Sequence, residues 1–129
     1  MATLSVHFLQ DLKSKVEEIK VTRYDKVSLF VCFSDKEFTE QKASDFFTYI
    51  SFIQPIETRL EIDLRDNCFK DAHMAPMALF IKKHENLKEL VIWMPSNYLS
   101  DEGAGHLVAA VEGLSKLTKL TLNLEWFFH

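Results

Sequence analysis

Apolar residues alternate with others at Leu60, Ile62 and Leu64 in RLEIDLR. The same alternation returns thirty residues later at Leu90, Ile92 and Met94, and again at Leu120, Leu122 and Leu124. Thirty-one residues upstream it occurs at Leu29, Val31 and Phe33. A period of two is that of a strand with one buried face. The pattern predicts four copies of one strand, centred near Val31, Ile62, Ile92 and Leu122. Between the last two, Leu107, Val108, Val111 and Leu114 are spaced by three and four, which predicts a helix. Asp101 stands at its start, where an acid favours the dipole and can cap. Asn67 maps onto Asn97, Glu40 onto Asp71 and Asp101, and Phe46 onto Met77 and Leu107. Each unit therefore reads as strand, turn and helix. Pro76 fits if the second helix starts near Met74 or Ala75, because proline is accepted in a first turn.

One such unit cannot bury both of its apolar faces. Stacked units can, with strands side by side in a parallel sheet and helices outside it. Right-handed crossovers then put all helices on one side. The expected architecture is α/β, a sheet of about four parallel strands in sequential order. Near the N-terminus, Leu9, Leu12, Val16 and Ile19 share one helical face and predict a helical cap. The other possibility is a degenerate extra unit with Leu4, Val6 and Phe8 as its strand.

The third unit, LKELVIWMPSNYLSDEGAGHLVAAVEGL, resembles a leucine-rich repeat, L-x-x-L-x-L-x-x-N-x-L. Leu87, Leu90 and Ile92 match, then Asn97 and Leu99 after one inserted residue. Asp101, Gly103, Ala104 and Leu107 resemble the longer, helix-containing class typified by ribonuclease inhibitor. The resemblance covers roughly residues 26–124. It implies a short solenoid, with Asn67 and Asn97 pairing backbone groups in the turns after the strands. The boundaries are a cap over 1–25, repeats over about 26–56, 57–86 and 87–116, and a terminal strand with an aromatic tail over 117–129. The first unit is the least regular, with Glu37 at the asparagine position and Phe46, Phe47 and Phe52 in its helix.

The resemblance also implies that binding uses the strand positions between the core triplets. These are Ser28, Phe30 and Cys32; Glu61, Asp63 and Arg65; Val91 and Trp93; and Thr121, Asn123 and Glu125. Phe30, Val91 and Trp93 on one face form an apolar cluster that a monomer gains nothing by exposing. Glu61 and Asp63 add an acidic patch suited to a basic partner. The alternative is that the N-terminal segment or the C-terminal tail folds over this face. The tail itself carries Trp126, Phe127 and Phe128, which either cap the last strand or dock onto another subunit, including a second copy of the chain.

Composition narrows the function class. The chain has 129 residues, 47% hydrophobic and 26% charged, enough for one domain to bury a core without a disulfide or metal. Its net charge of -4 argues against binding a phosphate backbone. The longest stretch poor in charge, Val91–Ser100, is too short to span a bilayer. The N-terminus lacks a basic start, and Asp11 and Lys13 interrupt its apolar residues, unlike a signal peptide. Two cysteines, Cys32 and Cys68, without a C-x-x-C motif suit a reducing, intracellular and cytoplasmic setting.

The five histidines, His7, His73, His84, His106 and His129, have no zinc-ligand spacing, and His73 and His106 read as solvated surface residues. Gly103-x-Gly105 follows Asp101 and Glu102, which would repel a phosphate. No G-x-S-x-G or Ser–His–Asp set is present. No metal or cofactor is expected, and no catalysis. The leading reading is a non-catalytic protein–protein interaction module, or a structural subunit of a multisubunit complex, binding another protein. The rival is a small α/β signalling domain. A receiver domain would need a lysine on a later strand, and a STAS domain would need serines where Ala72 and His73 stand.

Overall fold

The structure is a computed structural model and describes residues 2–33 and 38–125. Five strands, β1 (Ala2–Val6), β2 (Tyr24–Phe30), β3 (Arg59–Asp63), β4 (Glu89–Trp93) and β5 (Lys119–Asn123), form one sheet in sequential order. Every neighbouring pair is parallel. The crossovers carry α1 (Leu9–Ser14) and α2 (Val16–Val21), then α3 (Glu40–Ser51), α4 (Met74–Lys82) and α5 (Asp101–Glu112). Successive helices pack on one another along one side of the sheet. This is the expected α/β solenoid, and its order is not that of a doubly wound receiver domain, which is permuted.

Two expectations are corrected. The N-terminal segment is not a purely helical cap: it opens with a fifth strand, whose Leu4 and Val6 are buried. Phe8 belongs to no strand. It precedes α1 and is exposed. The first repeat strand is also centred on Val27, not Val31. Leu29 pairs with Ile62 and Val27 with Leu60, so the unit spacing there is thirty-three residues. A slip of two residues leaves each side chain on the same face, so alternation cannot detect it.

The core lies between sheet and helices. Leu29, Ile62 and Ile92 lie in register across β2, β3 and β4 and are fully buried. Ala43, Phe46 and Ile50 face them from α3, Met77 and Ile81 from α4, and Leu107 and Ala110 from α5. Pro76 lies in the first turn of α4 as the sequence requires. The first member of the fourth strand pattern departs from expectation: Leu120 is 48% exposed. β5 is the edge strand at this end of the sheet, and among the described residues no further strand pairs with it.

The asparagines join successive units. Asn97 accepts the Phe69 N–H at 3.0 Å and donates to the carbonyls of Leu64 at 2.8 Å and Met94 at 3.3 Å. Asn67 accepts the Phe33 N–H and donates to Val31 and Leu64. Each is preceded by a residue with positive φ, Asp66 at 57° and Ser96 at 61°, which turns the chain after the strand. An amide is needed at these sites because the backbone it reaches is buried away from water.

Candidate functional site

The helix-free face of the sheet is built from in-register rows. One row runs Phe30, Asp63, Trp93 and Asn123 across β2 to β5. His7 extends it, its ring 6.1 Å from that of Phe30. A second row runs Ser5, Ser28, Glu61, Val91 and Thr121. A third runs Lys26, Arg59, Glu89 and Lys119. Alternation along each strand sends all these side chains away from the helices.

Sharing a face does not make them equally accessible. Phe30 is 43% exposed, and Glu61, Trp93 and Asn123 are half-buried. Asp63 and Val91, expected to be exposed, are each only 5% exposed. Val91 sits on an interior strand, with Glu61 and Thr121 beside it and Glu89 and Trp93 along the chain. Asp63 is covered by Arg65, whose Nε and second guanidinium nitrogen lie 2.9 and 2.7 Å from its carboxylate oxygens. The same guanidinium lies over the Trp93 ring, 5.6 Å from its centroid. Trp126 and Phe127 lie outside the described residues.

The acids of β3 and β4 on this face are already paired. Arg59 donates to Glu61 at 2.9 Å and lies 3.4 Å from Glu89. Its guanidinium pKa is raised, first by the hydrogen bond to Glu61, and that of Arg65 is raised first by the bond to Asp63. The expected bare acidic patch is therefore a network of matched charges beside two aromatic rings. The Arg59–Glu89 pair follows from the thirty-residue register, which places them side by side. The Arg65–Asp63 clasp is a geometry that spacing does not express. The N-terminal segment does not cover this face, because it forms β1 and the helices behind it.

Two concavities bear on catalysis. One of about 170 Å³ brings Ser5, His7, Ser28, Phe30, Glu61 and Asp63 together on the sheet face. Its carboxylates are held by arginines, and neither bonds to His7. The other, of about 440 Å³, lies on the helical side beside Glu40 and His73. His73, expected at the solvated surface, is buried. Its Nδ1 accepts the Lys70 N–H at 2.9 Å, so Nε2 carries a proton and donates to Glu40 at 2.9 Å. That bond lowers the Glu40 pKa. Both ring nitrogens are occupied, Nδ1 within its own unit and Nε2 across to the preceding one, and among the described residues no serine or threonine hydroxyl bonds to this ring. Among the described residues no three of histidine, cysteine, aspartate and glutamate gather as a metal site. No helix among them is long and apolar enough to cross a membrane.

No protein-family model matches the chain, and no curated protein matches it. Among solved structures it is similar to the tropomodulin C-terminal domain from Caenorhabditis elegans, with a TM-score of 0.60 and 12% sequence identity. The likeness covers 91% of this chain and 65% of that one. At this identity it establishes the fold, a leucine-rich-repeat-like solenoid. The chain spans just under two thirds of the length of that structure.

Proposed function

We propose that the chain is a non-catalytic protein–protein interaction module or a structural subunit of a larger, multisubunit assembly in the cytoplasm. We read residues 1–129 as one domain of the helix-containing, ribonuclease-inhibitor-like class of leucine-rich repeats. The observation that carries the reading is the row Phe30, Asp63, Trp93 and Asn123 on the helix-free face. An exposed ring and a half-buried indole flank a carboxylate already neutralised by Arg65. A surface of that kind suits an apolar or aromatic anchor from a partner protein, with matched charges at the rim. Glu61 and Asn123 supply polar contacts at its edge, while Val91 and Asp63 form its floor. Trp126 and Phe127 extend the contact set beyond the described residues.

The test is affinity purification from a native extract at gentle salt, with partners identified by mass spectrometry, repeated with Trp93→Ala. A partner retained by the parent and lost by a variant that stays folded supports the reading. Capture per folded molecule that is unchanged in both Trp93→Ala and Phe30→Ala overturns it.

A further inference from the structure

The two ends of the sheet are finished differently. At the N-terminal end, Leu4 and Val6 of the outermost strand are 2% and 1% exposed, because α1 and α2 close over them with Leu12 and Ile19. At the other end, among the described residues, the equivalent cross-section is open. Ala78 and Leu90 in the third unit are 5% and 0% exposed, whereas their counterparts Val108 and Leu120 are 42% and 48% exposed. Val111, Leu122 and Leu124 are half-buried there, where Ile81, Ile92 and Met94 are fully buried. Among the described residues the free edge is also unpaired backbone. The Asn123 and Glu125 carbonyls accept the N–H groups of Met94 and Ser96, just after β4, so the backbone groups of odd-numbered residues of β5 face inward. Leu120, Leu122 and Leu124 therefore carry their N–H and C=O groups toward the open side.

We propose that this end is a homodimer interface, closed by β5 of a second copy in antiparallel pairing about a two-fold axis at Leu122. Such an axis, normal to the sheet, keeps both sets of helices on one side and joins the two sheets into one. With the axis there, Leu122 faces its own copy and Leu120 faces Leu124 of the second copy. All three leucines then form the hydrogen-bonded pairs of an antiparallel ladder. On the helix-free face the same register sets Lys119 opposite Glu125 of the second copy. Moving the axis to Thr121 or Leu120 sets Lys119 against Asn123 or Thr121 and breaks the charge match. The surface is self-complementary in backbone bonding, apolar contact and charge in that one register.

The test is sedimentation velocity of the full chain across a concentration series, with amide hydrogen exchange read at β5. The parent is expected to dimerise, with slow exchange at Leu120, Leu122 and Leu124. Lys119→Glu and Glu125→Lys each place like charges opposite one another and are expected to weaken the dimer by about tenfold, and the double reversal to return it to within about threefold. Both side chains are exposed, and circular dichroism confirms that each variant is folded. A monomeric parent overturns the proposal. If its β5 amides are protected, the edge is covered by the chain's own residues. A dimer indifferent to both reversals also overturns it, because contact then lies elsewhere.

Discussion

Gly103, in the first turn of α5, donates its N–H to Asp71 of the preceding unit at 3.0 Å. The same carboxylate accepts the N–H of Ser100 at 2.8 Å and its hydroxyl. Asp71 thus caps the helix of the next unit, adding to the Ser100 cap on Glu102. Glu40, at the equivalent position one unit earlier, also reaches forward, to His73. Glycine at position 103 is required by this close approach. A Cβ there would overlap the Asp71 carboxylate oxygen and come within 3.2 Å of the Asp71 Cα. Gly103→Ala is expected to cost about 1–3 kcal/mol of stability despite the better helix propensity of alanine. Gly105→Ala is the control, since nothing lies near its added carbon, and it is expected to be neutral or stabilising. Urea denaturation of both variants checks the pair.

Acid sensitivity follows from two groups. His84 is buried, accepts the Ile56 N–H on Nδ1 at 2.9 Å, and has its pKa pushed down to about 3, first by burial and then by Lys83. Its contribution to stability is complete above the ordinary value of 6.5 and is lost as pH falls from there toward 3. The loss over that window is on the order of 4–5 kcal/mol. Asp71, its pKa lowered first by Ser100, adds a further loss below the ordinary aspartate value of 3.8. Stability measured between pH 7 and 3 is expected to fall steadily, and His84→Gln to be less stable at pH 7 but to flatten that slope. An unchanged slope would mean that the ring does not titrate in this range.

Asn97→Ala removes a side chain that serves buried backbone in three places. The Phe69 N–H and the Met94 carbonyl lose this partner, and the Leu64 carbonyl keeps only its bond from Asn67. The expected cost is about 2–4 kcal/mol, more than a single neutral hydrogen bond, because each orphaned group keeps its desolvation penalty. Thermal melting measures it, with Asn97→Asp as a companion that keeps the acceptor but loses the donor.

Trp93→Ala separates binding from folding. The indole is half-buried and lies under Arg65, so its loss is expected to cost about 1 kcal/mol of stability. As an interface anchor it is expected to cost about 2 kcal/mol of partner affinity. Titration calorimetry against the identified partner, with a denaturation curve for the same variant, gives both numbers. Reversing Glu61 to lysine sets two cations side by side at Arg59 and is expected to slow association at low salt more than it alters stability.

The amino-acid pattern alone determined the units, their sequential order and which face each strand residue takes, since alternation and thirty-residue spacing are local properties of the chain. It placed Leu90, Ile92 and Met94 in the core and Val91 and Trp93 on the opposite face. The tertiary structure decided what alternation cannot express. It shifted β2 by two residues, a slip that preserves every face and so leaves no trace in the pattern. It buried Asp63 under Arg65 and Val91 between its neighbours, because accessibility depends on what lies across the sheet as well as along the strand. It also turned the recurring acid positions Glu40 and Asp71 from caps of their own helices into ties to the next unit. Such reach across some thirty residues exists only once the units are stacked, when the start of one helix lies against the acid of the one before.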